Sequence, residues 1–295
     1  MLRVIDPIAL GATLFVPATH KNLSDILKRT RLSHLRSLVI DTEDGLHVSE
    51  LERAIALIQE LLQSYEVSNL YLFIRPRNTQ ILKKLLHVRG IKKIDGFILA
   101  KFTCKSMYRY IELLKPYSFY IMPSIEGEEL FNPEGMRLIK KELDTIKDQV
   151  LLIRFGAEDM LRQLGLKRSS KRALYDMLAP SLSMANLLHI FKTSGYEISA
   201  AVYPFYKDKE GFIAEVTRDL QEGFISKTVI HPSQIDGFES AYRVQKDDLK
   251  MAQKILSVKE KSIFGEDGVM GEVPTQSPWA QTILSREHYY GSTDT

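Results

Sequence analysis

The sequence predicts an α/β fold, a (β/α)8 TIM barrel with a C-terminal extension, and three observations predict it. Eight short apolar runs recur along the chain, each followed by a helical pattern. The runs do not alternate apolar and polar residues, as expected of strands covered on both faces. A length of 295 residues suits the closure of eight such units, and no Gly-x-Gly-x-x-Gly turn follows the first run to mark a doubly wound sheet.

Taken in order, the first run is ATLFVP at 12–17, followed by polar residues and a helix through about Arg31. LRSLVID at 35–41 is the second, ending in Asp41, Glu43 and Asp44. The helix after it places Leu51, Ala54, Ile55, Ile58, Leu61, Leu62 and Tyr65 on one face. LYLFI at 70–74 ends at Arg75, and GFILA at 96–100 ends at Lys101. The fifth run, 118–123, leads to Glu126, and the sixth, from Val150, breaks at Gly156 and delivers Glu158 and Asp159. A helix is expected around 183–193, a seventh strand at 198–203 and a helix from 209 to 222. The eighth strand, 224–230, runs into His231, and helix continues to about Lys259. The barrel domain is therefore expected over 1–259, with 260–295 as an extension packing on a neighbouring subunit.

Composition excludes several function classes. Hydrophobic residues make up 44% and charged residues 26%, and the net charge is only +3, so no nucleic-acid partner is expected. The basic run Lys167–Arg172 reads as a solvated loop. A single cysteine, Cys104, rules out an intrachain disulfide and a thiolate metal cluster. No window approaches a membrane span and the N-terminus lacks a signal peptide's apolar core, so a cytoplasmic protein with no membrane partner is expected.

In a barrel of this kind the site lies at the C-terminal ends of the strands. Those ends carry Asp41/Glu43/Asp44, Arg75, Lys101, Glu126, Asp159 and His231. Acids on strands two, five and six, with Arg and Lys between them, suit a divalent cation holding an anionic substrate. Two carboxylates without cysteine or paired histidine point to a hard ion, Mg2+ or possibly Mn2+. No zinc-protease, nucleophile-elbow or P-loop motif is present. A single acid after a strand is equally explained as a helix cap, so the set carries the argument. His231 reads as a structural strand-end group.

The chain resembles the citrate lyase β-subunit-like family, among the Mg2+-dependent hydroxy-acid aldolases. The resemblance lies in Leu14-Phe15-Val16-Pro17, Asp41-x-Glu43-Asp44, Arg75, Lys101, Ile125-Glu126 and Phe155-Gly156-Ala157-Glu158-Asp159. Val202-Tyr203-Pro204, Asp208-x-Glu210-Gly211, Gly223-Phe224 and Ile230-His231-Pro232-Ser233-Gln234-Ile235 continue it in order. It implies a carbon–carbon lyase or aldolase joining or cleaving a 2-keto-acid unit and an acyl or aldehyde fragment. It implies Mg2+ on Glu126 and Asp159, a substrate carboxylate on Arg75, and Lys101, Gly156 and Ala157 beside the substrate. Asp44, with Asp41 and Glu43, would orient metal-bound water or accept a proton. A homo-oligomer, trimer or hexamer, is also implied. The chain departs from the family at Pro17-Ala18-Thr19-His20-Lys21-Asn22, where Pro-Gly and an arginine usually form part of the surround of coenzyme A or another thioester; in addition Phe102 follows Lys101, Pro76 follows Arg75, and Ala200 replaces an aspartate. Glu272 stands in place of the aspartate of a Met-x-Asp-x-Pro element that precedes a short helix. Two alternatives stay open: a Schiff-base aldolase using Lys101, and a non-catalytic barrel subunit of a larger complex.

Overall fold

A computed structural model describes residues 3–258, 262–266 and 268–293. The eight runs form parallel strands: β1 (Ala12–Pro17), β2 (Ser37–Asp41), β3 (Tyr71–Arg75), β4 (Gly96–Leu99), β5 (Tyr120–Ile125), β6 (Ile153–Phe155), β7 (Ile198–Ser199) and β8 (Lys227–Val229). Their order is β7-β6-β5-β4-β3-β2-β1-β8, and a parallel bridge between Ala200 and Lys227 joins the two ends into a ring. The barrel fold is as the sequence predicts. Several strands are shorter than their apolar runs. The run from Val150, for instance, makes an isolated bridge from Val150 to Ile121 and becomes strand only at Ile153.

Helices cover the outside of the ring. The predicted amphipathic face is buried on α2 (Leu51–Ser64) through Ala54, Ile58 and Leu62, after a first helix α1 that stops at Leu27 rather than Arg31 (Leu23–Leu27). Helix α3 (Thr79–Leu85) is capped by Asn78, whose Oδ1 accepts from the Ile81 N–H. Helices α4 (Met107–Leu114), α5 (Pro133–Asp144), α6 (Ala157–Gln163), α7 (Leu178–Phe191) and α8 (Lys209–Gln221) follow. Inside the ring, Val39, Phe73, Ile98 and Met122 pack with Ile5, Leu10, Leu151 and Leu152. Each fully buried side chain of this size is worth ~1.5–3 kcal/mol. Above this filled interior, a cavity lies at the C-terminal mouth.

The chain divides into two compact units, 1–235 and 236–295. The second takes in the stretch 236–259 that the sequence reading gave to the barrel. In it, α10 (Lys246–Ser257) packs with α11 (Val273–Tyr290) around Val244, Ala252, Ile255, Ala280 and Ile283, with α9 spanning Ile235–Tyr242. A hairpin of β9 (Ile263–Glu266) and β10 (Val269–Glu272) leads into α11. The helix after Glu272 is 18 residues long, not short. No described helix is long and apolar enough to cross a membrane.

Candidate active site

The barrel mouth opens into a cavity of about 430 Å³ lined by residues from all eight strands or the loops that follow them. Asp41, Asp44, Arg75, Glu126, Gly156, Ala157 and Asp159 all line it, so the fold brings together the acids and the arginine that the sequence singled out. Lys101 reaches the same rim through Glu43, with Nζ 2.5 Å from Oε1. His231 lies apart from this set. It is exposed, caps a 3-10 turn by accepting from the Ser233 N–H, and stacks on Tyr206 at 4.6 Å.

The rim is a chain of alternating charges. Arg75 Nε and Nη2 donate to Asp41 Oδ1 and Oδ2 at 2.6 and 2.7 Å, a planar two-point pair. Arg75 Nη1 lies 3.1 Å from Glu43, and Glu43 continues to Lys101. Burial works against the charge of Arg75, but the bond to Asp41 outweighs it and its pKa is raised. Burial also raises the pKa of Glu43, against the pull of Arg75. Asp44 sits further out, 60% exposed and 3.6 Å from Lys101 Nζ. Partial burial pulls Lys101 down, yet its bond to Glu43 prevails and its pKa is raised. A Schiff-base lysine needs the opposite shift, so the charge network opposes that alternative.

Glu126 is held differently. It is 6% exposed and its carboxylate accepts from the Lys101 backbone N–H and from Ser124 Oγ, the latter at 2.8 Å. Lys101 adopts φ 49° to make that contact, a left-handed conformation that non-glycine residues adopt at a cost. Among the described residues no basic side chain forms an ion pair with Glu126. Burial, aided by Asp159 and Glu43, therefore pushes its pKa up to about 7. Gly156 makes this packing possible, since a Cβ there would stand 2.3 Å from Glu126 Cβ. Asp159 stands in the first turn of α6 and pairs with Arg162 at 2.6 Å. It thus places a negative charge in the helix's first turn and faces the cavity at once.

A buried carboxylate without a cation, beside a second carboxylate on the next strand, is a donor set that fits a hard divalent ion. No group of three or more acid, histidine or cysteine ligands occurs among the described residues. Two protein carboxylates leave the remaining positions to water and substrate, as Mg2+ prefers.

Comparisons with known proteins agree with this geometry. The family of C–C bond lyases of the TIM-barrel fold matches residues 4–292. The chain belongs to this family. It is similar to the citrate lyase subunit beta of Leuconostoc mesenteroides subsp. cremoris, 24% identical over 272 residues, covering 87% of this chain and 84% of that one. A (3S)-malyl-CoA thioesterase of Cereibacter sphaeroides is 20% identical over 262 residues, covering 88% and 86%. Among solved structures, the CitE protein of Mycobacterium tuberculosis, in complex with magnesium, acetoacetate and coenzyme A, superposes with a TM-score of 0.71 at 22% identity, over 96% of this chain and 99% of that one. The citrate lyase β-like resemblance is thereby confirmed.

Three arginines of this lyase were missed or misread in the sequence. Arg77 donates to the carbonyls of Thr42, Glu43 and Leu46 and so shapes the acidic loop after β2. Arg168, in the run read as a solvated loop, is only 5% exposed; it pairs with Glu215 and donates to the Val202 carbonyl. That expectation is corrected: a basic run exposes most of its members, but one long side chain turned inward to a buried acid. Arg154, inside the apolar run of β6, lines the cavity and is 3% exposed. A charged residue in the middle of a strand run was the available signal.

Proposed function

We propose that this C–C bond lyase is a Mg2+-dependent lyase or aldolase that cleaves or forms a bond between a 2-keto-acid unit and an acyl or aldehyde fragment. The observation that carries the reading is the buried, cation-free Glu126 beside Asp159 on adjacent strand ends of one cavity. A relative of the same fold holds magnesium with acetoacetate and coenzyme A. Glu126 and Asp159 hold the ion, which when bound polarises a carbonyl or enolate oxygen as a Lewis acid. Mn2+ fits the same oxygens.

The chain's own residues do the rest. Lys101 and Ser124 fix the Glu126 carboxylate through two hydrogen bonds. The backbone at Gly156 and Ala157, at the start of α6, borders the substrate without side-chain bulk. Arg75, anchored by Asp41, offers its remaining N–H groups to a substrate carboxylate. Asp44, exposed at the rim, is placed to take or return a proton, and Lys101 steadies the acids by charge.

A thioester partner, coenzyme A or a carrier-bound acyl group, is compatible with the relatives' names, while the residues 17–22 differ from the family's usual thioester surround. The same reading takes the protein as a cytoplasmic homo-oligomer, trimer or hexamer, with the segment 260–295 against a neighbouring subunit and Glu272 at that contact. Light scattering on the full chain and on a truncation after Lys261 tests this.

The experiment for the site is calorimetric. Mg2+ should bind the wild type at one site, and Asp159→Asn should lose that binding while melting as a folded protein. Undiminished Mg2+ affinity in the variant would remove Asp159 from the metal site.

A further inference from the structure

Arg154 is the cation lining the cavity to which the lyase reading gives no task. It lies on β6 in register with Ser124 of β5 and Ser199 of β7. Its guanidinium reaches past β7 to donate to Thr228 Oγ1 on β8, and touches Met122 Sδ at 3.8 Å. It also stands 5.2 Å from the centre of the Phe15 ring, and Arg75 stands 5.1 Å from the same ring. Two cations thus share one aromatic ring. Arg75 is neutralised by Asp41 and Glu43, whereas no described carboxylate forms an ion pair with Arg154. Burial, with Arg75 nearby, pulls the Arg154 pKa down to about 9, so it is still charged at neutral pH. A buried cation with no counter-ion is costly, and it persists here at the wall of an open cavity.

We propose that Arg154 binds an anionic group of the substrate in the floor of the barrel, so that the site takes a small acid with two anionic groups. The inference rests on the lyase reading for where the reacting carbons lie. Ser124 is level with Arg154, and Glu126 is two residues further along the chain. The strand rise sets the Glu126 level roughly 6–7 Å above Arg154. A short dicarboxylate can span that gap, with one end at the Glu126–Asp159 rim and the other on the planar guanidinium, which matches a carboxylate with two parallel hydrogen bonds. An acetate-sized fragment cannot reach both. Phe15 and Met122 exclude water around the floor, which strengthens the attraction there. Arg154 is in this sense a specificity-determining residue, distinct from the groups that hold the metal.

Binding of oxaloacetate and pyruvate, each with Mg2+, distinguishes the outcomes, because the two differ by one carboxylate. By calorimetry the wild type should bind oxaloacetate ~10–100-fold more tightly than pyruvate, the scale of a hydrogen bond to a charged group. Arg154→Met should bring that ratio near one while leaving pyruvate and Mg2+ affinities in place. Without ligand it should melt at or above the wild-type temperature, since an isolated buried charge is gone. Arg154→Lys keeps the charge but loses the planar pair, and should lower the ratio several-fold; it decides the matter if the methionine variant does not fold. A wild type without preference, or a ratio unchanged in either folded variant, overturns the assignment of Arg154 and leaves the lyase reading standing. If the wild type binds neither acid with Mg2+, the lyase reading fails and this inference fails with it.

Discussion

Replacing Gly156 by alanine tests how closely the Glu126 carboxylate, and the metal site proposed on it, depend on backbone approach. The residue has φ −94°, so alanine meets no conformational penalty and the effect is one of contact alone. Its Cβ would stand 2.3 Å from Glu126 Cβ, 2.6 Å from Glu126 Oε2 and 3.3 Å from Glu126 Cα. Ordinary carbon–carbon contact begins near 3.5 Å, so the strands must part, or Glu126 must move, by roughly 1 Å. Glu126 cannot swing away freely, because Lys101 and Ser124 hold its two oxygens. Overpacking of this kind costs ~1–3 kcal/mol, which lowers the melting temperature by ~2–10 °C at this size. A displacement near 1 Å of a reacting or ligating group costs ~100-fold in rate, and a comparable loss of Mg2+ affinity is expected. Gly265→Ala, where nothing lies within 4 Å, is the control for alanine itself. Scanning calorimetry and Mg2+ titration on both variants suffice. A Gly156→Ala protein that melts like wild type and binds Mg2+ with unchanged affinity would refute the claim that Gly156 exists to seat Glu126.

Two further outcomes follow from buried charges. Glu126 has a folded pKa of about 7, above its unfolded value, so the folded state holds its proton where the unfolded chain has lost it. In metal-free protein its contribution is therefore complete below about pH 4.5 and is lost as pH rises to 7, a fall of ~3 kcal/mol at most. Glu126→Gln should flatten that fall in urea melts, and a variant with the wild-type pH slope would show that another group causes it. Lys227 pairs with Glu215 at 2.9 Å and Asp219 at 2.7 Å, while Tyr175 donates to Asp219 at 2.5 Å. Lys227→Met leaves the buried Asp219 without a cation, while Glu215 keeps Arg168, and should cost ~3–5 kcal/mol in a urea melt; a loss below 1 kcal/mol would mean that water reaches Asp219.

The fold was legible because barrel strands are apolar throughout and stop where the chain surfaces. Ala12–Pro17 is a strand over the bounds read from the sequence, and Asp41, Arg75, Glu126 and Asp159 meet at one mouth because each follows such a run. The strand ends were less clear, since an apolar run does not reveal which of its residues enter the ladder. The second unit was poorly legible. Its hairpin pairs Ile263–Glu266 with Val269–Glu272 around Gly268 at φ 80°, and sparse apolar patterning there gave little to read.

The site shows a different limit. Residue type and position foretold which side chains reach the mouth, but not how each one acts. Lys101 was read by its charge, yet it meets the Glu126 carboxylate through its backbone N–H, presented by a left-handed φ of 49°. Nothing in the letter K announces a positive φ, because that conformation is imposed by the strands on either side. Arg75 was read as a free grip for substrate, whereas Asp41 and Glu43 already hold three of its N–H groups. Arg154, hidden within an apolar run, is the guanidinium without an acid. Charge at a strand end is visible in a sequence; whether that charge is already balanced depends on partners tens of residues away.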